Sequence, residues 1–346
     1  MKFSLDTAFM VDCFKDIVSV PSPTGYYVEL NPVLERYAAQ FGQTVTYDNK
    51  HTAYITLAGQ DNSKTVLLTA HADTLGMMVR SVDGNGMLRF QVLGGMNMHS
   101  AEGESVVVHA SNGKKYTGLI ACGKHSTHVF RDAGATERSA DTMVVILDED
   151  VKNKEDVRAL GIRNGDYISV EPRCQVTKNG YIKSRFIDDK AGVACLLAML
   201  KYLTENNLKP KYRTILAFTY YEEIGTGGRY VPAEVSEYIG VDIALIGPEL
   251  DATEHTVTIC AKDAIGPYDY ALRRRLESYA EKAGCNYVTD LYLRYSSDAQ
   301  AAVRGGNNVS HAIIGMGTYC THGMERTHID GMENTVQLLL AYTLDI

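Results

Sequence analysis

The stretch TVLLTAHADTLGMMVRSVDGNG, residues 65–86, decides the fold. Thr65–Ala70 is the continuous apolar run expected of a strand covered on both faces. It ends in His71-Ala-Asp73, and from Met77 onward the texture changes to short strands separated by turn signals. MMVRSV, MLRFQVL, ESVVVHA, KYTGLIAC, MVVILDE and DYISVE follow one another, with turn dipeptides at Asp83-Gly84, Asn112-Gly113, Asn164-Gly165 and Asn179-Gly180. Only Asn153–Leu160 reads as helical in this part. Outside it, helix and strand alternate. Helices are expected over 6–18 and 28–41, either side of the VPSPTG break, and strands at Thr44–Tyr47 and Ala53–Leu57. Beyond residue 180 the pattern predicts a helix at Asp188–Thr204, strands at Thr214–Tyr220, Val241–Ile246 and Val309–Ile314, and helices at Pro267–Ala283 and Met332–Leu344. The expected fold is therefore α/β. A mixed-sheet catalytic domain with helices on both faces, residues 1–75 plus 180–346, is interrupted by a small all-β, barrel-like domain over 76–179.

Composition narrows the partners. With 346 residues the chain has room for about two domains. Its formal charge of −8 argues against nucleic acid bound through a basic surface. The longest basic run, Arg273–Arg275, alternates with Glu277 and Glu281 as a solvated helix face would. Seven scattered cysteines without a C-x-x-C pair point to a reducing compartment. The opening MKFSLDTAFMVDCF lacks the apolar stretch of a signal peptide, and Ala194–Leu200 is far too short to span a membrane. A cytoplasmic protein without nucleic-acid or membrane partners is expected.

The residues that can carry chemistry fall at strand ends, where open α/β sheets place their ligand sites. His71 and Asp73 end the TVLLTA strand two positions apart, so the carboxylate can steady the imidazole or share an ion with it. Asp188 and Asp189 open a helix. One suffices as an N-cap, and the second needs a cation or Lys190 to offset its charge. Glu222 and Glu223 stand where TILAFTY opens into IGTGG, a placement suited to a metal-bound carboxylate beside a general base. His322 and His328 flank Gly323-Met-Glu-Arg at a spacing that does not require both to bind one ion. Nitrogen and oxygen donors without cysteine favour Zn, Co or Mn, and two such ions sharing a carboxylate would define metal-assisted hydrolysis.

With these residues placed, the chain resembles the dinuclear-metal aminopeptidases of the tetrahedral-dodecamer type, which include glutamyl, leucyl and deblocking aminopeptidases and some members labelled endoglucanase. The likeness runs through VPSPTGYY (20–27), AHADTLGMMV (70–79), GLIACGKHSTHVF (118–130), VRALGIRNGDYISVE (157–171), SRFIDDKAGVACLL (184–197), YYEEIGTGG (220–228), SSDAQAA (296–302) and CTHGMERTH (320–328). The resemblance implies that two divalent ions are held by His71, Asp188, Glu223 and His322, with Asp188 bridging and Asp73 orienting the His71 ring. Glu222 would be the base acting on a bridging water activated by the two ions. It further implies short peptides as substrates, cleaved at the N-terminal bond, and a homo-oligomer that in this family reaches a dodecamer.

Two departures from the family pattern stand out. An acidic ligand is expected in an apolar strand followed by Val-Thr, but residues 241–256 read VDIALIGPELDATEHT. Taking Val241–Ile246 as the strand makes Glu249 the preferred ligand and Asp251 the alternative. Thr74 also stands where the family commonly has glutamate. The same scaffold is compatible with hydrolysis of another small amide, such as an N-acyl amino acid, or with a metal-depleted subunit that serves assembly alone.

Overall fold

The computed structural model describes residues 2–346. The chain forms two compact units, one made of the residues up to Asp73 with Arg173–Ile346, the other of Thr74–Pro172.

The first unit is built on a mixed sheet in the order Thr46–Tyr47, Ala53–Leu57, Tyr212–Thr219, Asp61–His71, Val235–Val241, Ser310–Thr318, Val257–Lys262, Tyr287–Leu291, with Ala244–Leu245 added beside Ser310–Thr318. Its centre is four parallel strands in register, Leu216 beside Leu68, Leu68 beside Ile239 and Ile239 beside Ala312. Strands this apolar are stable only when both faces are covered. Leu67, Tyr238 and Ile313 pack with Ala299 and Ala302 of the Asp298–Arg304 helix. Alternation sends Val66 and Leu68 to the opposite face, where the Ile187–Glu205 helix lies along the Asp61–His71 strand. Because the four strands are parallel, His71, Thr219, Val241 and Thr318 all end at one edge. A separate antiparallel sheet of Gln175–Val176, Tyr181–Ser184 and Glu325–His328 completes this unit.

Gly315 shows how closely the backbone packs at that edge. A Cβ there would lie 1.3 Å from the carbonyl oxygen of Asp242, whose amide bonds Ile314. Gly315→Ala must therefore push the segment after Val241 off its neighbour. We expect a loss of about 3 kcal/mol of stability, read as a shifted denaturant midpoint, with no such loss for Ala at the open position Gly266.

The second unit is a closed barrel of Gly76–Val82, Leu88–Leu93, Met143–Leu147, Lys115–Cys122, Ser105–His109 and Tyr167–Val170. Val79, Phe90, Val106, Val108, Ile120, Val145 and Ile168 are buried, with alternation clearest in Leu88–Leu93 and Lys115–Cys122. Gly113 and Gly165 take positive φ in the turns, as their Asn-Gly dipeptides require.

Four expectations are corrected. The strand placed at Val241–Ile246 starts six residues earlier, as Val235–Val241 followed by the two-residue Ala244–Leu245, because Tyr238 and Ile239 fill the sheet interior. Val257–Lys262, Tyr287–Leu291, Glu325–His328 and the Asp298–Arg304 helix form where no element was expected. In the barrel unit, Met98–Ala101 is helical as well as Lys154–Ala159. The closing helix starts at Ile329 rather than Met332, capped by His328. No helix among the described residues is long and apolar enough to cross a membrane.

Candidate metal centre

The strand edge gathers His71, Asp73, Asp188, Glu222, Glu223 and His322. His71 is buried, with Nε2 at 2.9 Å from Asp188 Oδ1 and 3.8 Å from Glu222 Oε2. Its Nδ1 lies 3.0 Å from the carbonyl oxygen of Asp73 and 3.6 Å from Asp73 Oδ1. The ring is thus oriented by the Asp73 backbone more closely than by its carboxylate. That carboxylate does something else: it accepts the Thr24 hydroxyl at 2.8 Å and the amides of Glu222 and Glu223 at 3.2 and 3.3 Å. It fixes the turn that presents both glutamates. We expect Asp73→Asn, which cannot accept all three donors, to lower kcat by about 10- to 100-fold while KM changes little, measured with a chromogenic aminoacyl amide.

Asp188 Oδ2 is 3.8 Å from His322 Nε2, which lies 3.7 Å from Glu223 Oε2. Asp188 follows Phe186, a non-glycine residue with positive φ, and the Asp188–Asp189 peptide bond is cis. His322 is itself at φ 63, with its amide donating to Glu325 Oε1 at 3.2 Å. Glu325 Oε2 takes the Asp188 amide at 3.0 Å, so one buried carboxylate ties the two segments together. The positive φ of Phe186 and His322 persists where surrounding bonds over-determine it. The loop after Glu223 is glycine-rich for a steric reason: a Cβ on Gly228 would sit 2.3 Å from the Asp298 carbonyl oxygen. The Asp298 side chain takes the Gly228 amide at 2.6 Å and the Thr219 hydroxyl at 2.7 Å.

Glu249 is not part of this group. It is exposed in the loop after the Ala244–Leu245 strand, and Asp251 is exposed as well. Asp242 is the acid the fold supplies instead. It is buried one residue past the true strand end and close enough to Asp188 for each to perturb the other. Asp189 is buried too and receives the His71 amide at 3.2 Å. The residues missed in the sequence are thus Asp242, Asp189 as a site carboxylate, Glu325 and Asp298. Asp242 carried a signal, since it ends the apolar run YIGV, but the strand boundary had been placed after it. Lys190 does not offset the aspartate pair as expected. Its ammonium reaches Ser22 Oγ at 2.6 Å, and burial pushes its pKa down to about 7. His328 lies outside the group, its ring committed to Asn179 and to the Asp330 amide.

The electrostatics of the cluster are dominated by buried acids. Burial first, then neighbouring acids, holds the Glu222, Glu223 and Glu325 carboxyls well above the usual carboxylate range. Burial and Asp188 push Asp242 up to about 8, and burial pushes Asp298 up to about 6. Burial opposes protonation of His71, but its bonds to Asp188 and Asp73 outweigh that and hold the imidazole well above its ordinary value. Asp188 goes the other way: the His71 and His322 rings overcome its burial and lower it. Carboxylates so outnumber cationic side chains here that the cluster needs added positive charge to ionise fully. One ligand atom from each of His71, Asp188 and Glu223 lies within 4.8 Å of the others. With His322 and Asp242 alongside, this imidazole and carboxylate set fits borderline divalent ions such as zinc.

Comparison with known proteins points the same way. The model of the M42 glutamyl aminopeptidase family matches residues 52–338. YhfE of Bacillus subtilis is 40% identical over 333 residues, covering 96% of each chain. The TET aminopeptidase of Thaumarchaeota archaeon SCGC AB-539-E09 superposes with a TM-score of 0.86 at 18% identity, over 97% of this chain and 96% of its own. The TET1 peptidase of Pyrococcus horikoshii, described as assembling into a tetrahedron or a large octahedral shell, gives 0.85 at 21% identity, over 97% and 100%.

Proposed function

The chain belongs to the M42 glutamyl aminopeptidase family and is a metal-dependent aminopeptidase, and from that premise we propose how its own residues divide the work. His71, Asp188, Glu223, Asp242 and His322 would hold two divalent ions, with zinc, cobalt or manganese suited to the donors. When bound, the ions supply positive charge that ionises the carboxylates, activates water and polarises the scissile carbonyl.

Glu222 is the general base. The observation that carries this is its position. Its carboxylate is 3.8 Å from the His71 ring and 13% exposed, its amide is tied to Asp73, and it is adjacent in sequence to the ligand Glu223. It takes the proton of the attacking water and returns it to the leaving amine, so that one carboxyl serves both halves of the hydrolysis. His71, steadied through Nδ1 by the Asp73 carbonyl, presents Nε2 as its donor atom, with Asp188 Oδ1 2.9 Å from it. The surrounding carboxylates favour a substrate with a free ammonium beside the scissile bond. That supports short peptides cleaved at their first residue.

A panel of aminoacyl p-nitroanilides and short peptides set against N-acyl amino acids tests this reading. Turnover is expected only for substrates with a free amino terminus, and turnover confined to N-acyl amino acids would replace peptides with another amide as substrate. The reading extends to assembly: a homo-oligomer, dodecameric in its closed form, is supported by the shells described for the structural relatives. Light scattering should show a multimer, and a monomer would count against it. Cytoplasmic location belongs to the same reading and is supported by seven unpaired cysteines.

A further inference from the structure

We propose that His255, His328 and Asp330 form a binding site for one transition-metal ion, separate from the cluster around Asp188. One ligand atom from each lies within 4.8 Å of the others. Asp330 Oδ2 is 2.8 Å from His255 Nδ1 and 3.4 Å from His328 Nδ1. Ligand atoms around a tetrahedral zinc with bonds of about 2.0–2.1 Å are roughly 3.3 Å apart, so small side-chain rotations bring this set to coordination distance.

The tautomer of His328 strengthens the argument. Its Nε2 lies 2.8 Å from the carbonyl oxygen of Asn179, which can only accept, so Nε2 carries the proton and Nδ1 presents a lone pair. A backbone carbonyl holding the far ring nitrogen is the arrangement that orients metal-binding histidines. The lone pair accepts the Asp330 amide at 3.0 Å, and the Asp330 carboxylate stands 3.4 Å from the same nitrogen. An ion would take over that lone pair and bind the carboxylate too.

The surroundings suit an ion. The two imidazoles stand 4.1 Å apart between ring centres, and Tyr181 meets both edge-on. Arg326, stacked over Tyr181, is neutralised by two bonds to Glu254, and Lys2 borders the same cavity as His255 and Asp330. His255 and Asp330 are half exposed and border a cavity of about 530 Å³ that also holds Glu333 and Cys285, leaving room for water or a further donor. The positive end of the Ile329–Leu344 helix opposes a cation, but Asp330 in its first turn offsets that. Two imidazoles and one carboxylate select zinc, cobalt, nickel or copper over magnesium or calcium. Bound there, the ion would clamp the loop before Val257 and the turn at Asn179 to the start of the last helix.

The test is equilibrium dialysis of the full-length protein against zinc, with metal per chain and aminopeptidase activity measured on the same samples. The wild type is expected to hold one equivalent more than His255→Ala and Asp330→Asn, with activity equal in all three. Zinc should also raise the melting temperature of the wild type further than that of either variant. Equal metal content and equal zinc-dependent melting shifts in the three proteins would overturn the site and leave the trio as a hydrogen-bonded helix cap.

Discussion

Glu222→Gln will leave metal content unchanged and lower kcat by about a hundred- to ten-thousand-fold. Glutamine keeps the size of the side chain and its oxygen acceptor but takes up no proton, so only the transfer from water to the leaving amine is lost. The Glu222 amide stays bonded to Asp73, and the bonds that hold His71 and the Asp188 backbone run to Asp73 and Glu325 rather than to the Glu222 carboxylate. Measuring metal per chain beside turnover separates loss of a base from loss of an ion. Turnover at the wild-type level would remove Glu222 from its role, and loss of metal together with activity would make it a ligand instead.

Asp242→Ala should remove one of the two catalytic metal equivalents and weaken binding at that position by at least about 100-fold, more than the loss of a residue that merely orients a ligand. Glu249→Ala should change neither metal content nor turnover, because Glu249 is exposed whereas Asp242 is buried. The pair distinguishes the acid that the fold brings to the site from the one its sequence position suggested. Asp242→Ala carries a second signature in the metal-free protein. The Asp242 carboxyl is raised to about 8, against roughly 3.9 in an unfolded chain. The folded state therefore binds more protons between these values, and stability attributable to Asp242 is lost as pH rises through them. Removing the group should flatten that decline, seen as a smaller fall in metal-free melting temperature between pH 5 and pH 8, roughly the span of the shift.

These two experiments also mark how far the sequence could be read. The barrel was legible strand by strand, because half-buried antiparallel strands alternate strictly and their turns are signed by Asn-Gly. His71 and the glutamate pair were legible because an apolar run stops abruptly at each. Asp242 was not. Asp242 closes YIGV, but Ile243, Ala244 and Leu245 resume the apolar run at once, and only the tertiary pairing of Val241 with Ile314 shows that the strand ends before the acid. Glu325 looked like an ordinary polar residue between two histidines. Its importance comes from accepting the Asp188 amide, 137 residues away, which no local pattern encodes. The Val257–Lys262 and Tyr287–Leu291 strands were missed for a related reason: short, mixed segments there are held by neighbours on the sheet rather than by their own periodicity.

The order of strands in the sheet constrains how the enzyme is made. Ser310–Thr318, which leaves the ribosome after both of its neighbours, pairs between Val235–Val241 and Val257–Lys262 rather than at a rim. Until it arrives, the earlier strands lack their central neighbour and His322 has not been synthesised. A nascent polypeptide halted before residue 310 should therefore retain neither a closed sheet nor tightly held ions, so metal acquisition follows translation of that segment.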